Sequence, residues 1–168
     1  MVNALSYRAA CGFAPLSVIT QRTQRSPSMT EIQLVGLPIP QGSLRPFKLA
    51  RGYVLVATNA KRLKPWRLEL KEAASAALNG GGPSQGAILL TIEFRFPRPL
   101  GHFGKRGLRP SAPSAMFRRP DLDKLIRAIL DALTDAGAFR DDAQVDEIRA
   151  RKRYCADGES PGVEVVIA

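Results

Sequence analysis

Residues that hold soft metals or form disulfides are scarce in the 168-residue sequence, which has two cysteines and one histidine. Cys11 and Cys155 are far apart and form no C-x-x-C motif, so we expect reduced thiols in a cytoplasmic protein rather than a disulfide framework. The single histidine, His102, excludes a multi-histidine metal or catalytic site within one chain. No apolar run approaches the roughly 18 residues that span a bilayer, so no membrane partner is expected.

Acidic residues are outnumbered, with 15 Asp and Glu against 25 Lys and Arg, which gives a formal net charge of +10. A positive field of this size favours nucleic acid as the partner. Residues 1–29 contain no acid at all and are rich in Ser, Thr and Ala. That composition fits a transit peptide, a disordered leader or a misassigned start codon with Met29 as the first residue, and we favour the last two. We therefore expect one domain over residues 30–168.

Hydrophobic periodicity predicts two helices and several strands. The clearest helix spans 121–136, where apolar residues recur at i, i+3, i+4 and i+7, and Gly137 occupies the position of a left-handed C-cap. The other helix is expected to contain Pro65 in its first turn and to end near Leu78, before a glycine-rich stop. The first predicted strand begins at Glu31, and the next covers 53–58 as the second arm of a hairpin. Three more strands are predicted over 87–96, 144–154 and 163–167.

Two basic segments are candidates for contact with DNA. The segment 97–120 contains no acid and is long for a loop inside a compact domain, so we interpret it as a DNA-backbone contact that becomes ordered on binding. Further upstream, cations alternate with Phe47, which indicates either a solvated hairpin edge or a surface that follows phosphates. The predicted DNA-binding residues are Arg98, Lys105, Arg106, Arg109, Arg118, Arg119 and Lys124.

Four acids stand apart from this basic background. Asp121 and Asp123 begin the second helix, and Asp141 and Asp142 follow its end. Acids in a first helical turn can simply cap free amides and favour the helix dipole. Taken together, however, the four acids favour a Mg²⁺ site, since Mg²⁺ binds through one or two carboxylates with water and phosphate completing its shell. Arg127, one turn after Asp123, could then stabilise a transition state or pair with a carboxylate.

The spacing of these acids raises a geometric question. A helix over 121–136 is about 22 Å long, and the six residues that follow reach only about 20 Å when fully extended. Asp142 can therefore join Asp121 and Asp123 only if the chain doubles straight back along the helix. Otherwise, Asp141 and Asp142 serve the site of a partner chain in a two-fold dimer.

The stretch from Pro120 to Leu133, with Arg140-Asp141-Asp142-Ala143-Gln144-Val145 downstream, resembles the RusA-type Holliday-junction resolvases. Weaker similarities cover the segments 36–43 and 64–67. The resemblance implies a homodimeric α+β nuclease, with a small mixed sheet and two main helices, that acts in DNA recombination and repair. It further implies Mg²⁺-dependent, symmetric paired nicks in four-way junctions, with Mn²⁺ as a possible substitute and no small-molecule cofactor.

The resemblance also assigns roles to residues. It makes Asp121, Asp123 and Asp142 the metal-holding acids, with Asp141 as a neighbouring acid, and it places the catalytic basic residue at Arg127. Arginine stands here where lysine is frequent in the family, and it keeps the charge but cannot give up a proton. Likewise, Lys124 stands where asparagine is frequent.

Two other functions compete with this interpretation. A restriction-type nuclease would need a P-D…E-x-K motif, and the segment 146–149 ends in arginine instead of lysine. A non-catalytic protein that binds branched or single-stranded DNA would use the basic segments alone, with the acids as helix caps. The expected location is the cytoplasm of a bacterial or phage-infected cell.

Overall fold

The computed structural model describes residues 29–113 and 115–168. It has the α+β architecture that the sequence predicts, with strands and two helices around one core. No helix in the described part of the chain is long and apolar enough to cross a membrane. In chain order the elements are β1 (Thr30–Val35), β2 (Leu44–Leu49), β3 (Gly52–Ala57), α1 (Ala60–Ala77), β4 (Ile88–Phe96), β5 (Phe103–Gly104), β6 (Gly107–Leu108), α2 (Leu122–Asp135), β7 (Val145–Tyr154) and β8 (Gly162–Ile167).

The main sheet is mixed and has four strands in the order β1-β8-β4-β7. The strand β8 pairs antiparallel with β1 and β4, while β4 and β7 run parallel from Ile88 and Val145 to Phe96 and Tyr154. Parallel neighbours need a crossover connection, and here α2 supplies it. This β4-α2-β7 unit places the start of α2 near the carboxyl ends of both strands.

The core lies between the sheet and the two helices. Along β4, residues 88, 90, 92, 94 and 96 are buried and alternate with partly exposed or exposed neighbours, as the two-residue period of a strand requires. From α2 the core receives Leu125, Ala128, Ile129, Ala132 and Leu133, and from α1 it receives Leu63, Trp66, Leu70 and Ala74.

The helix α2 matches its prediction closely. It ends with Ala136 as C-cap, and Gly137 follows with φ +77°. The amide of Ala138 donates to the carbonyl of Leu133, which satisfies one of the carbonyls exposed at a helix end.

The predicted place of Pro65 in the first turn of α1 is wrong, because the helix begins at Ala60. The carbonyl of Asn59 accepts the amides of Arg62 and Leu63, so the first turn forms before the proline is reached. Burial of Leu63 favours this longer helix. Pro65 is exposed in the second turn, where its ring faces solvent.

The expectation that 97–120 lacks regular structure is wrong in part. A 3₁₀ turn at Leu100–His102 leads into a short β5-β6 hairpin, and Ala115 forms an isolated bridge with Arg153. The predicted β2-β3 hairpin is confirmed, and it forms a two-stranded sheet of its own.

Candidate active site

The carboxyl ends of β4 and β7 and the first turn of α2 meet at one edge of the domain. The Lys152 ammonium, near the end of β7, donates to the carbonyls of Arg118 and Pro120 at 2.6 and 2.7 Å. These bonds tie the segment before α2 to the sheet. The peptide bond between Arg119 and Pro120 is cis, and Asp121 follows as the N-cap of α2.

Asp121 occupies the N-cap position, but its side chain makes no capping hydrogen bond with the described residues. Instead, its carboxylate pairs with the Lys124 ammonium at 2.9 Å and remains half exposed. The Lys124 hydrogen bond and charge, followed by the charges of Arg119 and Lys152, hold the pKa of Asp121 below its usual range. The carboxylate is therefore ionised at neutral pH and accessible to a second cation.

Asp123 and Arg127 extend this edge along α2. Asp123 lies in the first turn and is exposed, and Arg127 is exposed one turn later. The free amides of a helix N-terminus attract anions such as phosphate. Two carboxylates beside these amides suit Mg²⁺, which keeps most of its water and binds through one or two protein carboxylates together with substrate phosphate.

Asp141 and Asp142 lie at the opposite end of α2 and have different surroundings. The Asp141 side chain accepts the amide of Ala143 at 2.8 Å and caps a short 3₁₀ turn over Asp142–Gln144. The Asp142 carboxylate is exposed on the same turn. Both residues are exposed, but only Asp141 caps the turn.

The two acidic groups are separated within one chain. The helix α2 rises 1.5 Å per residue, so its two ends lie about 20 Å apart. The part of β7 between Val145 and Lys152 rises about 3.3 Å per residue and gives a similar separation between the two acidic groups. Within the ranges 29–113 and 115–168, no three His, Cys, Asp or Glu side chains come together to hold a metal ion. Within one chain, Asp142 therefore lies apart from Asp121 and Asp123.

The predicted DNA-binding residues fall into two groups. Arg98 lies over the Tyr154 ring at 5.0 Å and donates to the Pro113 carbonyl, and Arg109 donates to the Phe103 carbonyl. These two arginines hold the 97–113 segment in place. The second group is exposed, apart from the partly buried Lys124. It consists of Lys105, Arg106, Arg118, Arg119 and Lys124.

A cavity of about 420 Å³ adjoins the start of α2. Prolines from the segments before β2 and after β4 form much of its wall. The rest of the apolar lining comes from Leu37, Ile39, Phe96, Met116 and Tyr154. Arg118 and Arg119 line its rim. Cations at the rim of an apolar cleft beside two carboxylates give a surface that can hold a nucleic-acid backbone near a metal.

The sequence predictions gave no positioning role to Lys152, or to Gln144 of the Arg140–Val145 stretch. Lys152 could have been noticed, because it is a cation on the inward-facing register of β7, between Ala150 and Tyr154. Gln144 joins two segments: its carbonyl oxygen accepts the Arg140 amide at 2.8 Å, and its NH₂ group donates to the Ser84 carbonyl at 2.9 Å. No local pattern signals that second contact, since the partners are 60 residues apart.

Comparison with known proteins gives one family. The family model described as Endodeoxyribonuclease RusA matches residues 38–168. No curated protein matches the chain.

Proposed function

The chain belongs to the endodeoxyribonuclease RusA family, and from this premise we propose that it is a Mg²⁺-dependent nuclease that resolves four-way DNA junctions by symmetric paired nicks. Its substrate is branched DNA, its working form is a homodimer, and it serves DNA recombination and repair. Mn²⁺ is expected to substitute for Mg²⁺. The observation that carries the proposal is the ionised, half-exposed carboxylate of Asp121, which faces Lys124 instead of capping α2.

Asp121 and Asp123 would hold the metal. A bound Mg²⁺ supplies an activated water and stabilises charge on the phosphate that is cut. The protein's own share is to bind and orient the DNA. Exposed Arg118 and Arg119 reduce the repulsion between the carboxylates and the phosphates, and the amides at the start of α2 attract the phosphate.

Arg127 and Lys124 have distinct roles in this proposal. Arg127 contributes a permanent positive charge one turn from Asp123, so it stabilises the negative charge that develops at phosphorus and does not transfer a proton. Lys124 neutralises Asp121 before the metal binds. With a metal on Asp121, the Lys124 ammonium would be available to contact DNA.

Asp142 joins the site from a partner chain. One protomer holds Asp121 and Asp142 about 20 Å apart, and a two-fold axis that brings the ends of two protomers together would create two identical composite sites. Two such sites related by symmetry would account for two symmetric nicks in a four-way junction.

The test of the activity compares a synthetic four-way junction with linear duplex DNA, each with and without Mg²⁺. We expect paired symmetric nicks in the junction alone, and only with Mg²⁺. Asp123→Asn abolishes cutting, whereas Glu72→Gln, which removes a carboxylate on the exposed side of α1, leaves it intact. Tight junction binding by wild type and Asp123→Asn, with no cutting in any divalent metal, would identify a non-catalytic binding protein instead.

The composite site has its own test. Asp123→Asn and Asp142→Asn chains are each inactive as homodimers. When they are unfolded together and refolded, the heterodimer contains one site with both defects and one intact site. We expect the mixture to regain single nicks, and a mixture that stays inactive while forming heterodimers would place all three acids in one chain.

A further inference from the structure

The β2-β3 hairpin carries an unusual exposed surface. It pairs only within itself in the described part of the chain, and every residue of β2 is exposed. Large apolar side chains are nevertheless common on it. Phe47 is 62% exposed and Tyr53 is 71% exposed. The other exposed apolar residues of the hairpin are Leu44, Leu49, Val54 and Leu55.

The charge of the hairpin has one sign. Residues 44–57 contain Arg45, Lys48 and Arg51 and no acid. Lysine is depleted at the core of protein–protein interfaces, and here Lys48 stands directly opposite Tyr53. Cations interleaved with aromatic rings are instead the combination that binds nucleic acid, where cations contact phosphates and rings stack on bases.

The two rings lie on opposite faces of the hairpin. Phe47 stands opposite Val54, and Lys48 stands opposite Tyr53. Directly opposed residues share a face, and successive residues of a strand alternate between faces. Each face therefore carries one exposed ring. An arm of this kind can contact bases on both of its sides, which linear duplex DNA does not offer.

The root of the hairpin adjoins the candidate active site. The Gln41 amide donates to the Lys124 carbonyl at 2.8 Å, and the Asn59 side chain donates to the Pro40 carbonyl at 2.7 Å. A Cβ on Gly42 would overlap the Asn59 side chain, which explains a glycine at this close approach. Six-residue strands rising from this root extend about 20 Å. The hairpin thus starts beside the first turn of α2, and its Val54 and Leu55 line a cavity with α1.

We propose that the β2-β3 hairpin is a pin that enters the branch point of the DNA, with Phe47 and Tyr53 against the bases on its two sides and its cations on the flanking phosphates. The inference rests on the proposed function, because it takes branched DNA as the substrate. The pin recognises the branch, whereas the carboxylates at the start of α2 act on the phosphodiester. Its contribution is therefore to binding preference and does not require metal.

Binding measured without divalent metal tests the pin separately from cleavage. Fluorescence anisotropy would compare a four-way junction with linear duplex of the same sequences, using full-length Phe47→Ala, Tyr53→Ala and the double variant. Loss of one stacked base lowers affinity by about tenfold, so each single variant should lose about tenfold on the junction and retain its duplex affinity. Val35→Ala, which shortens an exposed side chain on β1, is the matched control and should change neither.

Removing the cations of the hairpin should give a different result from removing its rings. Arg45→Gln with Lys48→Gln should weaken binding to both DNA forms and lower the slope of log K against log salt by about 2, one step for each lost phosphate contact. A junction with 2-aminopurine beside the branch adds a direct signal. Wild type should change its fluorescence, and the Phe47 and Tyr53 double variant should not.

Each alternative outcome has a clear meaning. Variants that bind the junction as wild type does would overturn the pin. Loss of binding together with a change in oligomeric state, measured by light scattering, would show that the hairpin contacts a second copy and would also overturn it. Wild-type protein that prefers the junction but never cuts it would remove the proposed nuclease activity and leave the pin supported. Wild-type protein that binds the junction no better than linear duplex would overturn both the pin and the proposed action on four-way junctions.

Discussion

Lys152 ties the segment before α2 to the sheet, and replacing it with methionine tests whether that tie positions Asp121. The ammonium donates to the carbonyls of Arg118 and Pro120 at 2.6 and 2.7 Å. Hydrogen bonds from charged groups contribute about 1.5–3 kcal/mol each when intact. Lys152 is only partly buried and methionine preserves most of the apolar stem, so we expect a loss of about 2–3 kcal/mol for the pair.

For a domain of this size each kcal/mol lowers the melting temperature by about 2–4 °C. Lys152→Met should therefore melt about 5–10 °C below wild type, measured by circular dichroism. Activity should fall more steeply than stability, because a 1 Å displacement of a catalytic group costs about 100-fold in rate. We expect kcat for junction cutting to drop by that order, while junction affinity measured without metal changes little.

Arg149→Met is the matched control for this substitution. Arg149 lies on the outward register of the same strand and pairs with exposed Glu147, so its loss should cost less than about 1 kcal/mol and should leave cutting unchanged. A Lys152→Met protein that melts and cuts like wild type would refute the positioning role. Reduced melting temperature with unchanged kcat would assign Lys152 to stability alone.

Three further predictions address other parts of the molecule. Gln144→Ala removes the bonds between the Asp142 turn and the segment before β4, so we expect lost cutting with retained junction binding in gel-shift assays, and full activity would contradict the role. Arg153 lowers the pKa of Glu159 to about 2 from 4.5, so the pair stabilises the fold above pH 4.5 and loses its effect as the pH falls toward 2. Wild type should accordingly melt above Glu159→Gln at neutral pH, and the gap should close over that acid range; a constant gap would exclude the ionic origin. Leu133→Ala leaves a cavity in the core and should cost about 2–5 kcal/mol in urea unfolding, and a smaller loss would mean that the core closes around it.

The elements whose patterns are local could be predicted from the sequence. The apolar stripe of α2 and Gly137 after its end determined that helix to within a residue at either end. The alternation of β4 determined a central strand, and the Pro120–Leu133 and Arg140–Val145 stretches indicated the family. These predictions succeeded because backbone conformation and burial of one face depend on residues a few positions apart.

Only the tertiary structure decided which acids are caps and which remain available. In sequence, Asp121 and Asp141 are equally good capping residues, yet Asp141 caps its turn and Asp121 faces Lys124. The partners of Lys152 before α2 and the Gln144 contact to Ser84 are not visible in any short window of sequence. Such choices depend on partners brought together by the sheet and on the roughly 20 Å that α2 places between its ends. The sequence by itself determined α2, the central strand and the family, whereas long-range packing decided where α1 begins and placed the two acidic pairs at opposite ends of α2.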